Sequence, residues 1–209
     1  LYRASFLPRT FNDVDGRYPS FSTGHPFRQS ANGRNYYEDY SMWDTYRALH
    51  PLINILTPKK AGDMMQSLVD KYEQSGWLPI FPCWNSYTAA MIGDHCISAL
   101  GDAYIKGIRN FDINKACEGM LRNAFKTPST YEEYKNGMGR RALNSYLKYG
   151  YIPLEDSVPE AFHTCEQVSR TLEYAYDDFC GYQLAKMTGN KHYQEVFARQ
   201  MYNYKNVFD

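Results

Sequence analysis

Two four-residue segments echo each other along the chain, Gly76-Trp77-Leu78-Pro79 and Gly150-Tyr151-Ile152-Pro153. A glycine after a helical stretch, followed by an aromatic, an aliphatic and a proline, ends one helix and forbids its immediate continuation. Gly107 and Gly189 close two further helical stretches at nearly the same separation. A long helix, a short link and a second helix therefore recur with one period, which is the signature of repeated helical hairpins.

Helix signals run through most of the chain, and strand-type alternation is nearly absent. Residues 1–35 are rich in Gly, Pro, Ser, Asn and Arg and read as an irregular lead-in, with a turn from Asp13 to Tyr18 around Gly16. The pattern predicts a helix over 36–56, kinked or split by Pro51 near His50. Thr57-Pro58 opens a second helix, to Ser75. Further helices are predicted over 86–106, over 112–126 capped by Asp112, and over 129–149 with Ser129 and Glu132 as a capping box. The last two span 165–188 and 191–208. The fold class is then all-α: three hairpins, about 36–75, 85–126 and 166–208, plus one extra helix. Three hairpins make about half of an (α/α)6 toroid whose inner helices would be 36–56, 86–106 and 165–188. Half a toroid leaves its inner face open, so residues 1–209 are expected to be the N-terminal half of a toroid domain in a longer chain, exposing apolar surface when isolated.

Charge and thiols narrow the class of partner. Lys plus Arg and Asp plus Glu balance at 23 each, which leaves no net field toward nucleic acid or an anionic membrane. No run of 18 apolar residues exists, so no membrane span is expected. Cys83, Cys96, Cys117, Cys165 and Cys180 are odd in number and lack a Cys-x-x-Cys pair, which points to free, mostly buried thiols. The 20 Tyr, 11 Phe and 3 Trp supply amphipathic rings, most of them for packing between helices.

The run Tyr40-Ser41-Met42-Trp43-Asp44-Thr45-Tyr46-Arg47-Ala48-Leu49-His50-Pro51 concentrates chemistry. On a helix, Trp43, Asp44 and Arg47 share one end and face a common pocket. An indole beside a carboxylate and a guanidinium suits a sugar, whose C–H face is apolar and whose hydroxyl rim needs donors and acceptors. The plainer alternative is a buried Trp with a surface Asp–Arg pair.

Four further segments accompany that run: Asn12-Asp13-Val14-Asp15-Gly16-Arg17-Tyr18, Met91-Ile92-Gly93-Asp94-His95, Asp102 to Gly107, and Thr171-Leu172-Glu173-Tyr174-Ala175-Tyr176-Asp177-Asp178. In this order and at these separations they resemble glycoside hydrolase family 92, the exo-acting, calcium-dependent α-mannosidases, over essentially the whole chain. The resemblance implies hydrolysis of terminal α-linked mannose (the α-1,2 linkage) from a mannose-containing glycan with inversion, assisted by calcium. It implies that Trp43, Asp44 and Arg47 grip the terminal mannose. Asp15 and Arg17 would line the mouth or pin their turn to the first inner helix. His95 follows the family's Gly-x-His and would face the pocket or sit buried and satisfied. Tyr87-Thr88 stands where the family commonly has Glu-Thr, a departure that bears on specificity beyond the terminal sugar.

Inverting hydrolysis needs two carboxyl groups about 6.5–9.5 Å apart. Composition offers many, from Asp13 to Asp178, and no rule selects a pair. In the family the general acid lies in a Glu-Gly-Asn segment and the base further on; neither segment occurs in 1–209, so no catalytic residue is assigned here. Asp177-Asp178 reads as structural, since adjacent like charges on a helix diverge. Asp13-Val14-Asp15-Gly16 lacks the downstream ligands of an EF-hand, and the ligands of the implied calcium stay unassigned. The resemblance also implies a β-sandwich domain before this region, the second half of the toroid after it, and a periplasmic, secreted or cell-surface location. Two other classes remain open: a non-catalytic carbohydrate-binding or scaffold module of toroid fold, and a solenoid interaction protein that would bury Trp43 in helix packing.

Overall fold

The computed structural model describes residues 6–208. Helices dominate: α1 Met42–Thr45, α2 Leu49–Leu56, α3 Pro58–Ser75, α4 Cys96–Ile105, α5 Ile113–Phe125, α6 Tyr131–Lys135, α7 Leu143–Tyr149, α8 Gln167–Met187 and α9 Lys191–Gln200. A 3₁₀ turn follows at Asn203–Val207. All-α was too strict. The lead-in contains β1 Arg9–Thr10, β2 Arg17–Pro19 and β3 Phe27–Gln29, and β4 is Tyr37–Glu38; β1 pairs antiparallel with β4, and β2 with β3.

The hairpins expected from the repeat are present. α2 packs on α3, α4 on α5, and α8 on α9. α2, α4 and α8 touch in series to form one row; α3 touches α5, and Phe125 of α5 meets Tyr193 and Phe197 of α9 at 5.3 Å, forming a second row behind it. Asn54 of α2 donates to Asp102 of α4 at 2.8 Å, which ties two members of the first row together. The core between the rows includes Met64, Met65 and Leu68 from α3, Ile97 and Leu100 from α4, Met120 from α5 and Leu184 from α8. Each such side chain contributes about 1.5–3 kcal/mol by leaving water.

Four predicted helices are broken or shortened: 191–208 stops at Gln200 and gives way to the 3₁₀ turn, and in the other three a tertiary contact outbids local propensity. Over 36–56, Asp39 and Ser41 take left-handed backbone (φ 58° and 43°), and the Asp39 carboxylate binds Arg9 at 2.5 Å and the Trp84 N–H at 2.8 Å. The chain then makes α1, breaks, and restarts as α2; Pro51 falls in the first turn of α2, where its missing N–H costs nothing. Over 86–95 there is no helix: Gly93 is left-handed (φ 91°) and the Asp94 N–H is taken by Asp177 at 2.6 Å. Over 129–149 the helix divides into α6 and α7 around a loop that buries Arg140, with Gly137, Gly139 and Ala142 all at positive φ. The capping box is one residue later than expected, Thr130 with Glu133. Asp112 caps α5 as expected, accepting from Asn114 and Lys115. All five thiols are free, but only Cys96 is fully buried.

Candidate sugar-binding site

The motif at 40–51 is held by its own polar residues. Tyr40 is fully buried and donates to the Met64 carbonyl at 2.6 Å. The Thr45 hydroxyl donates to the Tyr40 carbonyl at 2.7 Å, so its free lone pair faces His50 Nε2 at 3.1 Å and takes that nitrogen's proton as a hydrogen bond. Burial lowers the His50 pKa to about 4, which keeps this ring neutral. Met42 and Thr45 are thereby turned inward, Asp44 and Arg47 are exposed, and Trp43 lies between.

One carboxylate gathers this exposed face. Glu173 Oε1, on α8, accepts from Trp43 Nε1 at 3.1 Å and lies 3.5 Å from Arg47 Nη2. Arg47 also donates from Nε to the Trp43 carbonyl at 3.1 Å, and its guanidinium stands 4.5 Å from the centre of the Trp43 ring and 4.8 Å from that of Tyr46. Guanidinium over indole is the favourable cation–π geometry. The Asp44 backbone N–H donates to the Ser41 carbonyl at 2.9 Å, but its carboxylate has no hydrogen-bond or ion-pair partner among the described residues.

Behind Glu173 the site is buried and charged. His95 Nε2 lies 3.4 Å from Glu173 Oε2, and His95 Nδ1 lies 2.9 Å from Asp177 Oδ1. Tyr46 stacks on the imidazole at 3.9 Å. Burial opposes the charge on His95, but Asp177, Glu173 and Asp94 outweigh it and raise its pKa. Asp94 in turn accepts from Arg140 Nε at 2.9 Å and Asn123 at 3.0 Å, and Arg140 Nη1 donates to Asp178 at 2.7 Å, whose other oxygen accepts from Tyr146 at 2.7 Å. Asp177 and Asp178 do diverge, into two different ion pairs, and both are fully buried.

The structure brings together Trp43, Arg47 and His95, with Asp44 on the adjoining exposed face. It does not bring in Asp15 or Arg17: Asp15 binds the Arg17 N–H at 3.0 Å and its Nε at 2.6 Å, an exposed pair that closes its own turn. Tyr87 is turned into the body, its hydroxyl donating to the Trp77 carbonyl at 2.6 Å. Gly93 is required by the site, since a Cβ there would stand 2.2 Å from His95 Nε2. Glu173, Asp177 and Arg140 were missed as site residues. Glu173 and Asp177 sit one turn apart on α8, which was a readable signal of a shared face; Arg140 had none, because its burial follows from the loop between α6 and α7. Among the described residues no three His, Cys, Asp or Glu side chains converge to hold a metal ion.

The model of the glycosyl hydrolase family 92 catalytic domain matches residues 1–209. The chain belongs to glycosyl hydrolase family 92. Two solved family 92 (GH92) enzymes of Bacteroides thetaiotaomicron are similar over 100% of this chain. One is an α-mannosidase in complex with mannoimidazole, at 31% identity and a TM-score of 0.85. The other is an inverting mannosidase, at 29% identity and a TM-score of 0.85. An uncharacterized secreted glycosidase of Arthroderma benhamiae is 32% identical over 150 residues, 70% of this chain. The chain spans 25% and 26% of the two solved family 92 chains and 18% of the secreted glycosidase.

Proposed function

We propose that this chain carries part of the terminal-mannose subsite of an inverting α-mannosidase, in the N-terminal half of an (α/α)6 toroid. The observation that carries this reading is the unpartnered, exposed Asp44 carboxylate, next to Trp43 and Arg47, on a surface where neighbouring polar groups are bonded. Asp44 accepts hydrogen bonds from vicinal hydroxyls, and the Trp43 and Arg47 pair bounds the ring beside it. Asp15 and Arg17 pair with each other in an exposed turn and in this reading make no contact with the sugar. The toroid reading is supported by the two rows of helices and by the apolar side chains that α2 and α8 leave exposed, Ile55 and Leu56 on one and Val168 and Phe179 on the other. The α-1,2 linkage, calcium dependence and a secreted or periplasmic location are part of the same proposal, with mannose-containing glycans as partner. The two solved relatives and the secreted relative support it by family. Among the described residues no helix is long and apolar enough to cross a membrane.

Asp44→Ala in the full-length protein tests the reading. Losing an acceptor that tightens as the sugar flattens toward an oxocarbenium-like transition state costs about 2–4 kcal/mol, on the order of 30- to 1000-fold in kcat/KM. Unchanged kcat/KM per folded molecule, with a lowered Tm, would reduce the motif to helix packing.

A further inference from the structure

Glu173 lies between the proposed sugar-binding face and the buried charges behind it. Its side chain is 17% exposed, against 47% for Arg47 and 1% for His95. One oxygen meets Trp43 and Arg47 of the 43–47 segment; the other faces His95, which is anchored on Asp177. The first two contacts join residues 130 and 126 positions apart in the chain; Oε1 is thus hydrogen-bonded to protein, while Oε2 makes only the 3.4 Å ion-pair contact with His95, whose Nε2 has no hydrogen-bond partner among the described residues. Glu173 thus holds both side chains of the 43–47 segment through the single oxygen Oε1.

We infer that Glu173 is a positioning residue for sugar recognition: its carboxylate holds the Trp43 indole and the Arg47 guanidinium in the orientation that they, with Asp44, present to the terminal mannose. This rests on the mannose-subsite reading above. The indole has one ring donor, and that donor's acceptor sets the ring's rotation about its own bonds. Arg47 is half exposed and long; without an anion at 3.5 Å it loses the contact that keeps it beside the ring, and only the weaker cation–π attraction remains. His95 and Asp177 form the rigid base of the arrangement, with Tyr46 stacked against the imidazole. A group held in this way gains its effect through precise placement.

The test uses the full-length protein with Glu173→Gln, Glu173→Asp and Asp44→Ala, an aryl α-mannoside as substrate, and Tm on the same preparations. Glu173→Gln keeps the volume and an acceptor for Trp43 but removes the charge that Arg47 needs. It is expected to raise KM about tenfold to a hundredfold with a smaller change in kcat, while Tm stays within a few degrees. In an Arg47→Met background the same substitution should have a clearly smaller effect, since the guanidinium is no longer there to be held. Normal kcat and KM for Glu173→Gln beside an impaired Asp44→Ala would overturn the positioning role and leave the subsite reading standing. A normal Asp44→Ala would overturn the subsite reading itself. Should Glu173→Gln fail to fold, Glu173→Asp decides: a folded variant with raised KM supports positioning, and a second unfolded variant assigns Glu173 to the fold.

Discussion

At the scale of single residues, two histidines near the candidate site sit in opposite electrostatic environments. His50 is buried beside a neutral hydroxyl and is held neutral, with its pKa at about 4. His95 is buried between carboxylates and is held charged, with its pKa raised. The consequences for stability have opposite signs. His50 contributes stability that is present above the unfolded value of about 6.5 and is lost as pH falls toward 4. His95 contributes stability that is complete below about 6.5 and is lost as pH rises through its raised value. Imidazole titration by NMR should therefore show one ring neutral down to nearly pH 4 and another still protonated above pH 6.5. Two rings titrating together near the ordinary value would contradict both environments. The contact of His50 with Thr45 is local, five residues apart, whereas the environment of His95 was not readable, because Asp177 reaches it from another helix.

At the scale of elements, Arg140 shows why local pattern failed where it did. The stretch 129–149 has a good capping signal and helix-forming residues, yet the chain opens a loop there to place a guanidinium between Asp94 and Asp178. Arg140→Met would leave both carboxylates buried without their cation. A loss on the order of 3–5 kcal/mol is expected in denaturant unfolding, and a loss under about 1 kcal/mol would show that the network is not what holds the loop. α3, α5 and α8 were legible to within two residues, because their caps and stops are local: Thr57-Pro58 and Gly76, Asp112, and Gly189. The first predicted helix was not, since Asp39 adopts left-handed backbone where its carboxylate binds Arg9 and Trp84, and Ser41 is left-handed as well. The same division holds in the site. Trp43, Asp44 and Arg47 form a local motif and were readable; Glu173, which binds two of them, was visible only as part of a segment with no stated task.

At the scale of the molecule, three hairpins in two rows carry a polar, charged seam where α8 meets the loop before α4 and the segment containing α1. Glu173 is the point on that seam where buried ion pairs reach the surface, and Asp44 is the carboxylate it leaves free beside it. Chains of this family are about four times longer than this one in the solved enzymes, and the proposed subsite is the part of recognition that these residues account for. The most direct measurement is a crystal structure of the full-length protein with a mannose-configured inhibitor such as mannoimidazole. The account predicts an Asp44 carboxylate oxygen within ordinary hydrogen-bond distance of a ring hydroxyl, about 2.5–3.0 Å, with Trp43 and Arg47 still joined to Glu173 beside the sugar. An inhibitor bound away from this face, with Asp44 reaching only solvent, would contradict it.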